Sequence, residues 1–430
     1  MRRTRFAAFA CVSALLFAAG LLPHKAQTVP VLVALDGGAP NAPSRSPMLA
    51  PNGRVVALAT QATNVVSNDT DAVRDILVVN LAKVRATCVS VSSEGVKADG
   101  DSDDPVLDRA RRHVVFASEA TNLVAADTNA VQDVFVHDLR SGETVRLSEA
   151  TDGTQADGTS RLPWISANGR VVAFSSEAAN LVADDTNGVA DIFLRDLRTG
   201  VTTRASLGHD GSQGDGDSLL PRLSANGRYL AFVSEATGLV PVDGNGLRDA
   251  FVRDLKTGAI EMVSVATDGT VSNGHSDTLS ISANGRRVAF DSRGSNLHAS
   301  DGQQGLDVFV RDRLKRTTTL VSRDVNGLAA NGPSTQPALS GNGRWLAFTS
   351  GATSVVAGDT NGSSDVFRVR LKTGEIERVS ISSEGAQADR NSDSPVLSRN
   401  GRYVAFSTRA TNLFAGGATD GTGSIALRRP

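Results

Sequence analysis

The chain has 430 residues, 40% hydrophobic and 21% charged, with 44 Lys and Arg against 46 Asp and Glu and a formal net charge of −2. This is ordinary globular composition rather than that of a disordered or collagen-like chain, and no basic run offers the electrostatic footprint that nucleic acid requires. Its two cysteines, Cys11 and Cys88, are too few for a disulfide scaffold.

Arg2, Arg3 and Arg5 precede an uncharged apolar run over residues 6–22, followed by small residues. This is the pattern of an export signal, with cleavage expected near Gly20 or after Ala26. A retained anchor is the alternative, but the run is short for a span, and no later stretch could cross a bilayer. Residues 1–26 are therefore assigned to a signal peptide and the mature chain to the periplasm or the exterior. Their removal leaves 40 basic against 46 acidic residues, a charge of −6. Cys88 remains as a lone thiol, expected as a small buried residue in a strand.

From Asn52 onward the chain repeats. An apolar run after a turn begins at Asn52, Ala110, Asn168, Asn226, Asn284, Asn342 and Asn400, each start 58 residues after the last. Such a period means stacked copies of one supersecondary unit. In the third copy, Trp164-Ile165-Ser166 is a short strand, and Asn168-Gly169, both tolerant of positive φ, read as a hairpin turn. A second strand over 171–175 leads to a long loop over 176–190. A third strand over 191–195, the tight turn Arg198-Thr199-Gly200 and a fourth strand over 202–207 follow, then a second long loop. Four antiparallel strands per period, without helical periodicity, describe the blade of an all-β propeller. Eleven of the 15 Phe share two repeat offsets, exemplified by Phe174 and Phe193, so they are read as core.

The run Pro163-Trp164-Ile165-Ser166-Ala167-Asn168-Gly169-Arg170, then Ala173-Phe174, then Asp191-Ile192-Phe193-Leu194-Arg195-Asp196-Leu197-Arg198-Thr199-Gly200 resembles the repeat of the TolB-type, WD-repeat-like β-propeller family. The resemblance implies a Pro-containing inner strand, an Ala-Phe second strand and an aromatic third strand ending in Asp-Leu. It covers nearly the whole mature chain. TolB also carries an α/β domain before its propeller, for which this chain has no room, so TolB's role with an envelope lipoprotein is not implied.

Blades begin near residues 46, 104, 162, 220, 278, 336 and 394. The last runs out of chain before its fourth strand. Val31 and Gly37 share the offset of Val89 and Gly95 in the first blade, so residues 29–37 are expected to complete the last one and close the ring. Residues 27–430 number 404, against 406 for seven full periods. The expectation is one seven-bladed domain over 27–430, closed and monomeric.

Within each blade the first and third connections are tight and the second and fourth long, so the long loops share one face. Blade three places Glu177, Asp184, Asp185, Asp191, Asp210, Asp215 and Asp217 there, while Arg170, Arg195, Arg198 and Arg204 lie in or near strands and tight turns. This face is read as acidic and as the binding surface for cations or a basic partner, solvated loops with no partner being the alternative. Its second connection carries Asp185-Thr186-Asn187-Gly188 and Asp191. The pattern recurs as Asp127, Asn129 and Asp133; Asp243, Asn245 and Asp249; and Asp359, Asn361 and Asp365. Asp69, Asp71 and Asp75 also fit, and Asp301 and Asp307 keep the carboxylates alone. An Asx-turn with a final Asp tying the loop to its strand is the leading reading; a hard cation such as Ca²⁺, which takes oxygen ligands at such spacing, is the alternative. Asp138, Asp196, Asp254 and Asp312 end third strands and are read as turn caps.

One inner-strand position varies most: Met48, Val106, Trp164, Arg222, Ser280, Ala338 and Val396. Trp164 and Arg222 fall on adjacent blades; ordinary inter-blade packing is the leading reading, and a ligand-gripping pair, by stacking plus charge, is the alternative. The histidines His113, His137, His209, His275 and His298 occupy five different offsets, and no Gly-x-Ser-x-Gly elbow is present. The preferred reading is a non-catalytic propeller, with no required cofactor, binding an envelope or secreted protein, a glycan or a peptide. A propeller lyase or hydrolase, with His209 or His275 the first residues to test, and a calcium-stabilised envelope protein are the alternatives.

Overall fold

The structure, a computed structural model, describes residues 26–67, 69–301, 305–414 and 421–430. Residues 1–25 of the expected signal segment lie outside the described residues. Each period folds into one antiparallel four-stranded sheet, and seven such sheets are present. The innermost strands, Ser44–Leu49, Ser102–Leu107, Ser160–Ile165, Ser218–Leu223, Ser276–Ile281, Ser334–Leu339 and Ser392–Leu397, each contact the next and the last contacts the first, enclosing the axis of a seven-bladed propeller. Among the described residues there is no helix.

The turns explain the blade. Gly169 takes φ 69°, its N–H bonding to Ser166 O at 2.9 Å. Asn168 does not adopt positive φ as the hairpin reading allowed. Its side-chain oxygen instead accepts the Ser166 hydroxyl at 2.7 Å and the Arg170 N–H at 3.1 Å, so Asn works as a side-chain brace and Gly alone supplies the left-handed residue. In the second tight turn Asp196 accepts the N–H groups of Arg198 at 2.9 Å and Thr199 at 3.1 Å and pairs with Arg170 at 2.8 Å. Asp138, Asp254 and Asp312 repeat this cap with Arg112, Arg228 and Arg286. At Gly285 the Tyr229 ring of the preceding blade leaves no room for a Cβ.

In blade three the second strand is buried almost throughout and the third over its first half. Phe174 faces Phe193 across that ladder with ring centroids 5.9 Å apart, and blades two to six all carry such a pair. Each apolar cluster draws on neighbouring sheets; Phe232, for example, packs with Ala173 and Ile192 of the blade before. Each buried Phe contributes roughly 1.5–3 kcal/mol.

The ring closes through its ends. Gln27–Pro30 pairs antiparallel with Ser424–Arg429, Gln27 opposite Arg429 and Pro30 opposite Ala426. The closing strand therefore starts earlier than expected and ends at Pro30. Val31 is its exit residue, bonding N–H to Ile425 O at 2.8 Å just as Val89 bonds to Ile76 O in blade one. A hydroxyl then locks blade to blade. Thr28 Oγ1 donates to Ile381 O at 2.6 Å and accepts from Arg428 at 2.7 Å. Thr202 Oγ1 does the same between Glu149 O and Arg195, and Thr318 between Val265 O and Arg311.

A bulge re-aims the middle of each inner strand. Ser46, Asp104, Leu162, Leu220, Gln336 and Ser394 share one offset and all take φ between 52° and 56°. Non-glycine residues rarely adopt this region, and bulges serve to redirect side chains.

Candidate functional site

Trp164 and Arg222 meet directly: the guanidinium carbon lies 4.5 Å from the indole centroid. Arg222 otherwise donates to its neighbour Pro221 O at 3.0 Å, and among the described residues no carboxylate stands within ion-pair distance of it. Asp104, at the bulge of blade two's inner strand, lies two blades away yet is the charge that Arg222 feels most. No hydrogen bond or ion pair reaches the Asp104 carboxylate from the described residues. Burial, then neighbouring Asp103, raises its carboxyl above the usual range against the pull of Arg222 and Arg45. Burial also lowers the Arg222 guanidinium to about 10. Both side chains are only half-buried, so each is partly desolvated yet open to a ligand.

The opposite arc is polar but satisfied. Asp291 accepts the Thr278 N–H at 2.6 Å, the Thr278 hydroxyl, and the Gln336 N–H at 3.0 Å. Gln336 in turn bonds Ser394 through both its amide groups. Sequence reasoning passed over Asp104 and Asp291. Asp291 had a signal, since its offset is otherwise held by Ala59, Ala117, Ser175, Val233, Thr349 and Ser407.

The long second and fourth connections do share a face, because their side chains interlock there. Asp157 and Asp215, from fourth connections, accept backbone N–H groups of the next blade's second connection at Ala179 and Thr237. Basic side chains reach this face too. Arg74 pairs with Asp101 and Asp103, Arg161 with Glu177, and Arg248 with Glu235. Arg204, assigned above to the strands, extends into blade three's loop and pairs with Asp185 at 3.2 Å and Asp191 at 3.4 Å. The face is a lattice of paired charges rather than a bare acidic surface.

The Asp-x-Asn loops are Asx-turns whose carboxylates are mostly bridged from within. Asn129, Asn187, Asn245 and Asn361 each donate to the Asp four residues on. Gln155 bridges Asp127 and Asp133, and Gln387 bridges Asp359 and Asp365. Gln213 bonds Asp185, beside Arg204, and Arg378 pairs with both Asp359 and Asp365. In blade one Lys97 reaches Asp69, Asp71 and Asp75 together. Blade four differs. Asp243 Oδ1 is buried with no hydrogen-bond partner, and burial, with Asp249 beside it, pushes the Asp243 carboxyl up to about 6.

The histidines stay apart. His113 bonds Asp108, His137 bonds Thr144, His275 and His298 accept backbone N–H groups, and His209 is exposed. Among the described residues no three His, Cys, Asp or Glu side chains group as a metal site. A groove of about 250 Å³ between blades two and three, lined by Arg112, His113, Asp138 and Arg195 among others, lies off the axis, and its charges are already paired.

No family model and no curated protein matches the chain. Solved structures share its fold. An oligogalacturonate lyase from Vibrio parahaemolyticus superposes with a TM-score of 0.55 at 10% identity, covering 94% of this chain and 97% of that one. The propeller domain of the trilobed protease from Pyrococcus furiosus, described as having an open velcro topology, gives 0.52 at 10% identity over 85% and 91%. TolB from Acinetobacter baumannii gives 0.40 at 13% identity over 79% of this chain; the chain spans 64% of that protein's length. The class defined is the seven-bladed β-propeller, the fold that the resemblance in the sequence implied, here with its ring closed by the first described strand. No described helix is long and apolar enough to cross a membrane.

Proposed function

We propose that this chain is an exported, non-catalytic binding propeller that takes its ligand or partner at the axis and the long-loop face around it. The observation that supports this is the unpaired axial set: Arg222 stacked on Trp164, and an Asp104 carboxylate without a partner. Elsewhere on the ring most comparable charges are bridged internally, blade four's Asp243 being an exception, so these axial groups have bonding capacity to spare. Opposite charges beside an indole suit a polar ligand with an apolar face, such as a glycan residue or a peptide end. The expected home is the periplasm or the exterior, following removal of residues 1–26.

The test is a binding screen of glycans and peptides against wild type, Arg222→Ala and Asp104→Asn, by calorimetry. Oligogalacturonate, named for the lyase that shares the fold, belongs in the screen with a turnover assay beside it. The reading expects a ligand whose affinity falls at least tenfold in either variant while the melting temperature holds. Equal affinity in all three proteins, or turnover of the ligand by wild type, refutes it.

A further inference from the structure

The loop bridges of the other blades act as an internal control for blade four. Position by position, blade four's Val271 stands where blades one, two, three and six carry Lys97, Gln155, Gln213 and Gln387, and its Met262 stands where blades two, three and six carry Arg146, Arg204 and Arg378. Both donors are thus replaced by apolar side chains, while the acceptors are kept. Three oxygens are left. In blades one, two, three and six the first loop carboxylate takes the bridging N–H or ammonium on the atom equivalent to Asp243 Oδ1; in blade four that buried atom has no partner. Arg146 donates to Ala126 O at 3.0 Å and Arg204 to Asp184 O at 2.8 Å; no described side chain donates to the equivalent Val242 O. The third is Asp249 Oδ2, which accepts Asn245 at 2.7 Å, Asp249 being wholly buried and its other oxygen held by Ser264.

Blade one shows what the position accepts. There the Lys97 ammonium sits among three carboxylates, with Asp71 at 2.7 Å and Asp75 at 2.8 Å. A point cation at this place is therefore a solution the fold already uses. We infer that blade four binds a hard metal cation, Ca²⁺ by preference, through Asp243, Asp249 and the Val242 carbonyl, in place of the side-chain donors its neighbours supply. Oxygen donors of mixed charge around a loop, with water completing the shell, are the ligand set Ca²⁺ favours. In blades one, two, three and six the corresponding oxygens already hold N–H or ammonium donors, so the cation is not expected there. The inference does not depend on the axial reading.

Thermal melts of the mature chain, first in chelator and then in excess Ca²⁺, test it. Binding to the folded state alone should raise the wild-type melting temperature by about 3 °C at a hundredfold excess over Kd. Asp243→Asn should lose the rise. Val271→Gln installs the bridge of blades two, three and six, so it should fold at least as stably and lose the rise as well. Its stability separates a filled site from a damaged one. A wild-type melt indifferent to Ca²⁺ overturns the inference. So does a Ca²⁺ response of equal size in Val271→Gln, which would place the ion elsewhere.

Discussion

Thr28 and Thr202 make the same contacts at two places in the ring, which turns them into a probe of how the ring opens. Each hydroxyl donates to a carbonyl of the preceding blade and accepts from an Arg of its own blade. Replacing either with Val keeps shape and removes both bonds. One is charge-assisted, but Arg428 keeps Ile381 O and Ser382 O, each at 3.2 Å, and Arg195 keeps Gly200 O and Ala150 O. The cost should therefore be about 1–3 kcal/mol for each variant, a fall of about 1–4 °C in melting temperature for a chain of this size. The kinetics should differ. Thr28 holds a terminal strand that can leave alone, whereas Thr202 is held by chain on both sides. If unfolding begins at the seam, the Thr28 contacts are already lost in the transition state. Thr28→Val then speeds unfolding by about 30-fold for 2 kcal/mol, while Thr202→Val mainly slows refolding. Unfolding jumps into guanidinium followed by Trp fluorescence measure this. Equal acceleration in both variants, or none in Thr28→Val, refutes opening at the seam.

Phe232→Ala, deep between blades three and four, should cost about 3–5 kcal/mol in urea unfolding; a loss below about 1 kcal/mol would mean the sheets do not pack there. Asp243 gives a pH dependence. Its carboxyl is raised to about 6 by burial, Asp249 and Asp215, so the folded state binds its proton more tightly than the unfolded state. In chelator the wild type should lose stability as pH rises from about 4, the unfolded Asp value, through 6. Asp243→Asn should lack that loss and gain nothing below pH 4; parallel stability curves for the two proteins would contradict it. Cys88 is half-buried rather than the buried residue expected; desolvation still pushes its thiol up to about 12, so Ellman's reagent at pH 8 should label it much more slowly before denaturant is added than after.

The period, turns and blade count were legible because they rest on backbone demands that few residues meet. Gly169 must take positive φ, and Phe174 and Phe193 must fill the same layer in every copy. The meeting of Trp164 with Arg222 could be located from a departure in that period, since a symmetric array differs only where its sequence does. Asp104 could not be singled out by type, because its neighbours Asp101 and Asp103 are also acidic; what distinguishes it is a bulge that turns it to the axis. The reach of Arg204 was hidden because a long side chain carries charge several ångströms from its strand. The bridges from Gln155 and Gln387 join loops 28 residues apart, so they become visible only when the fold places two connections on one face.

The pairing of Gln27 with Arg429 brings the outer ends of the first and last described strands side by side. A circular permutant with those ends joined by a short linker and new ends cut at exposed Gly211 would therefore keep every one of the seven sheets. In it the last blade would become continuous chain and no blade would be shared between termini. Blade order along the polypeptide is thus decoupled from position in the ring, and assembly can start from any neighbouring pair.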